Sequence, residues 1–180
     1  MQRAGTPEEV VRAFHDAMES AGEGAWPRDT EAEYQASARW SGTNGTPKNL
    51  TWSLVPDGLS ISSGAGEAVA PSTLFATMDA KFASQGGRAK WIGLIQQVFD
   101  RWTQLTGIKY TRVKYNNQDW DDGAAFINSA GSAGLRGDVR ISMKNIDNAN
   151  GILAYNYFPQ VGDMVLDASE NWGSTSNSNR

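Results

Sequence analysis

A chain of 180 residues fits one domain, or one domain with an ordered appendage, and its 39% hydrophobic content with seven Trp, six Phe and five Tyr can form a packed core. The net charge is −4 and the pI about 5.0, with no Lys/Arg cluster and no apolar run near the ~18 residues of a membrane span, which argues against nucleic-acid partners and membrane insertion. There is no cysteine and one histidine, His15, so disulfides, Cys-zinc sites and thiol catalysis are excluded and a multi-histidine metal site cannot be built within these residues.

In chain order, Thr6-Pro7-Glu8-Glu9 is a capping box with proline in the first turn. Val10, Val11, Phe14 and Met18 then share a helical face, which predicts an amphipathic helix over 7–20, ended by Gly22 and Gly24. His15 falls on or near its polar side and reads as a solvated histidine. Residues 1–39 are thus a helix and linker outside the main domain, residues 40–180, and the N-terminus lacks a basic-then-apolar signal region. Leu50, Trp52 and Leu54 alternate with Thr51 and Ser53 as a half-buried strand, which Pro56-Asp57-Gly58 ends. Residues 59–70 are small and predict a flexible segment.

Ser72 is a candidate cap for a helix with Leu74, Phe75, Met78 and Phe82 on one face. After Gly86 and Gly87, the residues Trp91, Leu94, Ile95, Val98, Phe99, Trp102 and Leu105 recur every three or four positions. That pattern predicts a core helix over 88–106, packed on a sheet and closed by Gly107. Residues 108–113 are a strand, and the Asp-rich 116–135 stretch is a loop. Asp138 to Met143, Ile152 to Tyr157 and Asp163 to Asp167 supply three more strands. The expected fold is α/β: a twisted, mostly parallel sheet of about five strands with the long helix on one face.

The segments WSLVPDG, FDRWTQLTGIKY, GDVRIS, IDNANGILAYNYFP and GDMVLDASENW follow one another as in matrixin-type metallopeptidases, a branch of the metzincins. The resemblance covers roughly residues 40–172, and LAYNYFP followed by GDMVLD and E-x-W is its most specific part. It implies a zinc endopeptidase, secreted, acting on peptide or protein substrates. It also implies a structural calcium, held by Asp147, Asn148, Asn150 and Ile152 with Asp167 and Glu170. Asn148 stands where the family usually has glycine, and asparagine also tolerates left-handed backbone. The resemblance makes the strand from Gly151 to Tyr157 an antiparallel cleft edge, with Leu153, Ala154 and Tyr155 meeting the substrate backbone. The histidines of the family's second, structural zinc map onto Tyr155 and Val165, so that zinc is not expected.

The family's H-E-x-x-H-x-x-G-x-x-H helix, which carries the catalytic zinc, is not in these residues. The chain therefore reads as the substrate-side half of a catalytic domain, with the zinc ligands expected beyond Arg180 and no catalytic residue of its own. A second reading is a non-catalytic extracellular module that binds peptides or glycans, with Trp120 or Trp172 as exposed rings. A third, an enzyme built on Asp119 and Asp122, lacks any feature that sets the two opposite a partner.

Overall fold

The alternation in NLTWSL forms strand β1 (Asn49–Leu54), the second strand of a five-stranded sheet. The computed structural model describes residues 40–43 and 45–173, which belong to one compact unit. The expected 7–20 helix, with His15, lies outside them. Elements follow in the order β1, β2 (Ser60–Ile61), β3 (Ala70–Pro71), α1 (Leu74–Lys81), α2 (Gly87–Thr106), β4 (Lys109–Arg112), β5 (Val139–Lys144), β6 (Ala154–Asn156) and β7 (Met164–Asp167). The sheet order is β4-β1-β5-β7-β6. Pairings among β4, β1, β5 and β7 are parallel, and only β6 runs antiparallel, against β7. This is the expected α/β fold, with a mostly parallel sheet and helices packed on it.

One face of the sheet and the two helices enclose the main core, in which Trp52, Leu54, Leu74, Trp91 and Met143 are all fully buried. Trp52 stacks on Phe99 of α2 with ring centroids 4.9 Å apart, and Phe75 meets Trp91 edge-on at 5.4 Å. The opposite face carries a second cluster, with Val55, Ile61, Phe126, Ile146 and Val165. β1 is therefore covered on both sides rather than half-buried: Ser53 is buried under the 116–137 loop and donates to Asp121 Oδ2 at 2.9 Å.

Three local expectations change. Ser72 does not cap α1. The N-cap residue is Thr73, without a side-chain bond, and Asp57 reaches in from the preceding turn to accept from the Phe75 and Ala76 N–H groups at 2.8 Å each. A carboxylate at a helix N-terminus satisfies two donors at once and suits the macrodipole. Residues 59–70 are not a loose segment. β2 and β3 pair as a short antiparallel ladder, and the loop between them is tied down by Glu67, whose side chain is 3% exposed.

The third change concerns the α2 stripe. Trp91 and Ile92 are buried and Leu94, Ile95 and Phe99 half-buried, but Val98, Trp102 and Leu105 are 56%, 53% and 61% exposed. Helix α1 has eight residues and touches the start of α2, where Asp79 bonds Arg88 and Trp91. Further along, Phe99 faces Tyr110 of the edge strand β4, and the flank that carries Val98 and Trp102 is left more than half exposed. Gly107 closes the helix as expected, left-handed at φ 72°, with its N–H on the Thr103 carbonyl at 3.0 Å.

Candidate functional site

Two features meet where β5 and β7 end: a loop gripped by carboxylates and a sheet edge that is unpaired among the described residues. Lys144 of β5 pairs in register with Asp167 of β7, and the chain between β5 and β6 turns through residues 145–153. Asn148 and Asn150 take left-handed backbone at φ 77° and 71°, the conformation that asparagine tolerates better than other side-chain-bearing residues. Gly151 is needed by space, since a Cβ there would sit 2.3 Å from Asp147 Oδ2.

The three carboxylates singled out from the sequence all grip this loop. Asp147 accepts the Ile152 N–H on both oxygens at 3.0 Å. Asp167, fully buried, accepts from the N–H groups of Ile146 and Asp147 and from both donors of Ser169. Glu170, 3% exposed, accepts the Asn150 N–H at 2.7 Å. Burial pushes the Asp167 carboxyl up, but the Ser169, Ile146 and Asp147 donors together outweigh it and hold its pKa below the ordinary value.

Among the described residues, no Lys or Arg forms an ion pair with any of the three. Nor does any group of three or more His, Cys, Asp or Glu among them stand together as a ready-made metal cluster. The donor set is still the one a hard cation takes: carboxylates and the carbonyls of a tight loop. The carbonyls of Asn148, Asn150 and Ile152 accept no hydrogen bond from another described residue.

β6 is the terminal strand. The Asp167 N–H donates to the Leu153 carbonyl, and the Tyr157 N–H to the Asp163 carbonyl, each at 2.9 Å. In an antiparallel ladder such pairs alternate, so Leu153, Tyr155 and Tyr157 turn their peptide groups toward β7, and Ala154 and Asn156 turn theirs outward. Of Leu153, Ala154 and Tyr155, it is Ala154 whose N–H and C=O face the free edge. Around that edge Ile152, Leu153 and Phe158 are exposed, Phe158 by 72%.

Other sequence candidates are occupied structurally. Asp119 pairs with Arg112 and Lys114, and Asp122 with Arg136, so neither is a free carboxylate opposite a reacting group. Trp172 packs on the sheet end, with Nε1 donating to the Asp167 carbonyl at 2.6 Å, and Trp120 lies edge-on to Phe75. Both rings are half-buried, so neither is an open stacking platform. At the two positions where the resemblance puts zinc histidines, Val165 is buried and the Tyr155 hydroxyl donates to Glu67 at 2.6 Å.

Sequence reasoning missed Asp163, next to the site. It is fully buried, its Oδ2 accepts the Ile127 N–H at 2.7 Å, and its Oδ1 has no partner among the described residues. Ile127 holds a left-handed φ of 58° to make that bond. Burial pushes the Asp163 pKa up to about 6; the Ile127 N–H and Arg140 oppose it, and Asp121 adds to it. The folded state therefore holds this proton more tightly than the unfolded chain does. The resulting stability is fully present below the ordinary value of 3.8 and is lost as pH rises through about 6. At about 1.4 kcal/mol per pH unit, the loss is on the order of 2–3 kcal/mol. Urea unfolding of wild type and Asp163→Asn at pH 4 and pH 7.5 checks this: the stability difference between them should shift in favour of the variant at the higher pH. Equal differences at both pH values would contradict it.

Compared with models of known protein families and with curated proteins, the sequence matches none.

Proposed function

We propose that the domain is the peptide-holding part of a secreted zinc endopeptidase of the matrixin type, with its zinc ligands supplied by sequence outside these residues. The observation that carries the reading is β6: a terminal antiparallel strand on a parallel sheet, with the peptide groups of Ala154 and Asn156 facing outward. An extended substrate would add to this edge as a further strand, its main chain bonded to those groups and its side chains alternating over Leu153 and Phe158. Zinc, when bound, supplies a polarised water for attack on the peptide carbonyl. The residues of this chain hold and orient the peptide. Asp147, Asp167 and Glu170, with the carbonyls of Asn148, Asn150 and Ile152, would hold calcium beside the edge and brace the turn into β6.

Two measurements test this reading. The 180-residue chain alone should cleave no fluorogenic peptide in a zinc-dependent way, because His15 is its one histidine and a catalytic zinc needs three protein ligands with an open position. A form extended past Arg180 should cleave, and a chelator should stop it. Binding of peptides by an extended form that never cleaves them would point instead to a non-catalytic module. Calcium should also raise the melting temperature, since a ligand at 100 times its Kd stabilises the native state by about 2.7 kcal/mol. Asp167→Asn should abolish that rise, and an equal rise in the variant would refute the assignment of the loop.

A further inference from the structure

We propose that Glu67, Lys144 and Tyr155 form a latch that holds β6 in place, which makes them positioning residues for the peptide-pairing edge; this rests on the reading of that edge given above. Lys144 leaves β5 on the face opposite the helices, since Ile141 and Met143 face the helix-side core and Lys144 alternates with them. Its side chain is 1% exposed. Its Nζ lies 2.8 Å from Glu67 Oε1 and donates to the carbonyls of Ile61, Ser62 and Ala68 at 3.0–3.2 Å. One ammonium thus ties both arms of the β2–β3 hairpin to the sheet.

Glu67 passes the connection on to β6. It accepts the Tyr155 hydroxyl at 2.6 Å and the Ala65 N–H at 2.8 Å. The Tyr155 ring lies flush on the hairpin loop, where a Cβ on Gly64 would come within 2.3 Å of it. Tyr157 adds a second strap, with its hydroxyl 3.4 Å from the Ser63 carbonyl and its ring edge-on to Tyr155 at 5.8 Å.

The reason such a latch is needed is the ladder itself. β6 has three residues and one strand neighbour, and an edge strand this short frays unless something else holds it. Tyr155 of β6 and Tyr157 just after it supply that hold from the face away from the helices, and among the described residues nothing bonds the outward peptide groups of Ala154 and Asn156. Burial pushes the Glu67 carboxyl up, but Lys144, Tyr155 and the Ala65 N–H together hold it well below the usual carboxylate range. Burial and Glu67 push the Tyr155 hydroxyl well above its ordinary value. Both groups keep their protonation states across the neutral range, so the latch is fixed rather than switched by pH.

Amide hydrogen exchange on the chain reads the latch directly. In Glu67→Ala, the Tyr155 and Tyr157 amides should exchange faster by about tenfold or more, relative to any change in β1 and β5. Tyr155→Phe removes only the hydroxyl, keeps the ring on Gly64, and should give a smaller acceleration confined to the same two amides. Acceleration spread equally over all strands, or none at β6, would overturn the proposal. A second arm uses a fluorescein-labelled peptide of alternating leucine and alanine, read by polarisation. Weaker binding in both variants, in the same order as their exchange, is expected. Unchanged binding in a variant with a loosened β6 would also overturn the positioning role. If the wild-type chain does not bind the peptide at all, the edge-site reading fails, and the exchange data alone decide whether β6 is latched.

Discussion

Replacing Asp121 with alanine should destabilise the domain by about 3–5 kcal/mol, the usual cost of leaving a buried ionic partner alone. Asp121 and Arg140 form an ion pair with both side chains at 0% exposure. The Asp121 carboxylate receives Arg140 Nε at 2.7 Å and Nη2 at 3.1 Å, a bidentate pairing, and also the Ser53 hydroxyl and the Gly123 N–H. The remaining guanidinium donors reach the carbonyls of Ala124 and Ala125 at 2.9 and 3.1 Å. Four of the five guanidinium N–H groups and both carboxylate oxygens are thereby met, and the 116–137 loop is fastened over β1 and β5. Alanine leaves a guanidinium in the interior bonded to two carbonyls, with no carboxylate in hydrogen-bond contact. Many domains have only about 5–15 kcal/mol in total, so a loss of this size shifts the urea midpoint far to the left. Replacing both partners, Asp121→Leu with Arg140→Met, should recover much of the loss, because apolar groups of similar volume remove the stranded charge. A single variant that unfolds like the wild type would show that water reaches the pair.

The second large effect separates two tryptophans on one helix. Trp91→Ala should cost about 3–5 kcal/mol, as large-to-small changes at buried aromatics do. Trp91 is fully buried, meets Phe75 edge-on, and donates from Nε1 to Asp79 at 2.9 Å, so the change opens a cavity and also removes one donor from the Asp79 carboxylate, which keeps its Arg88 bonds. Trp102→Ala, eleven positions along the same periodic stripe, should cost under about 1 kcal/mol, because its side chain is 53% exposed. Denaturant curves of the two variants give the comparison. Similar losses at both positions would mean that the Trp102 flank is covered in the full chain.

Much of the fold can be read from the chain in order. The alternation of Leu50, Trp52 and Leu54, and of Val139, Ile141 and Met143, places six buried residues, five of them in the main core, on one face of two strands that are far apart in sequence. The spacing of the α2 apolar residues and Gly107 determine the helix and its end, because helical period and left-handed closure are local properties. Asp147, Asp167 and Glu170 are singled out together only by the family resemblance; their hydrogen bonds to the 145–153 loop come from the fold.

What only the tertiary structure decided are the partnerships between distant residues. Nothing local marks Val98 and Trp102 as exposed; that follows from α1 being short and β4 being the edge of the sheet. Glu67 lies in a run of small residues that reads as flexible, and its order comes from Lys144, 77 positions away in the sequence, and from Tyr155, 88 positions away. Asp163 and Asp121 look like ordinary surface carboxylates until the loop over β1 closes above them and removes water. Periodicity reports which face of an element is apolar. It carries no information on which polar side chains will share a buried volume, because that depends on sheet order and loop closure, and there a single unpaired charge costs as much as several apolar contacts contribute.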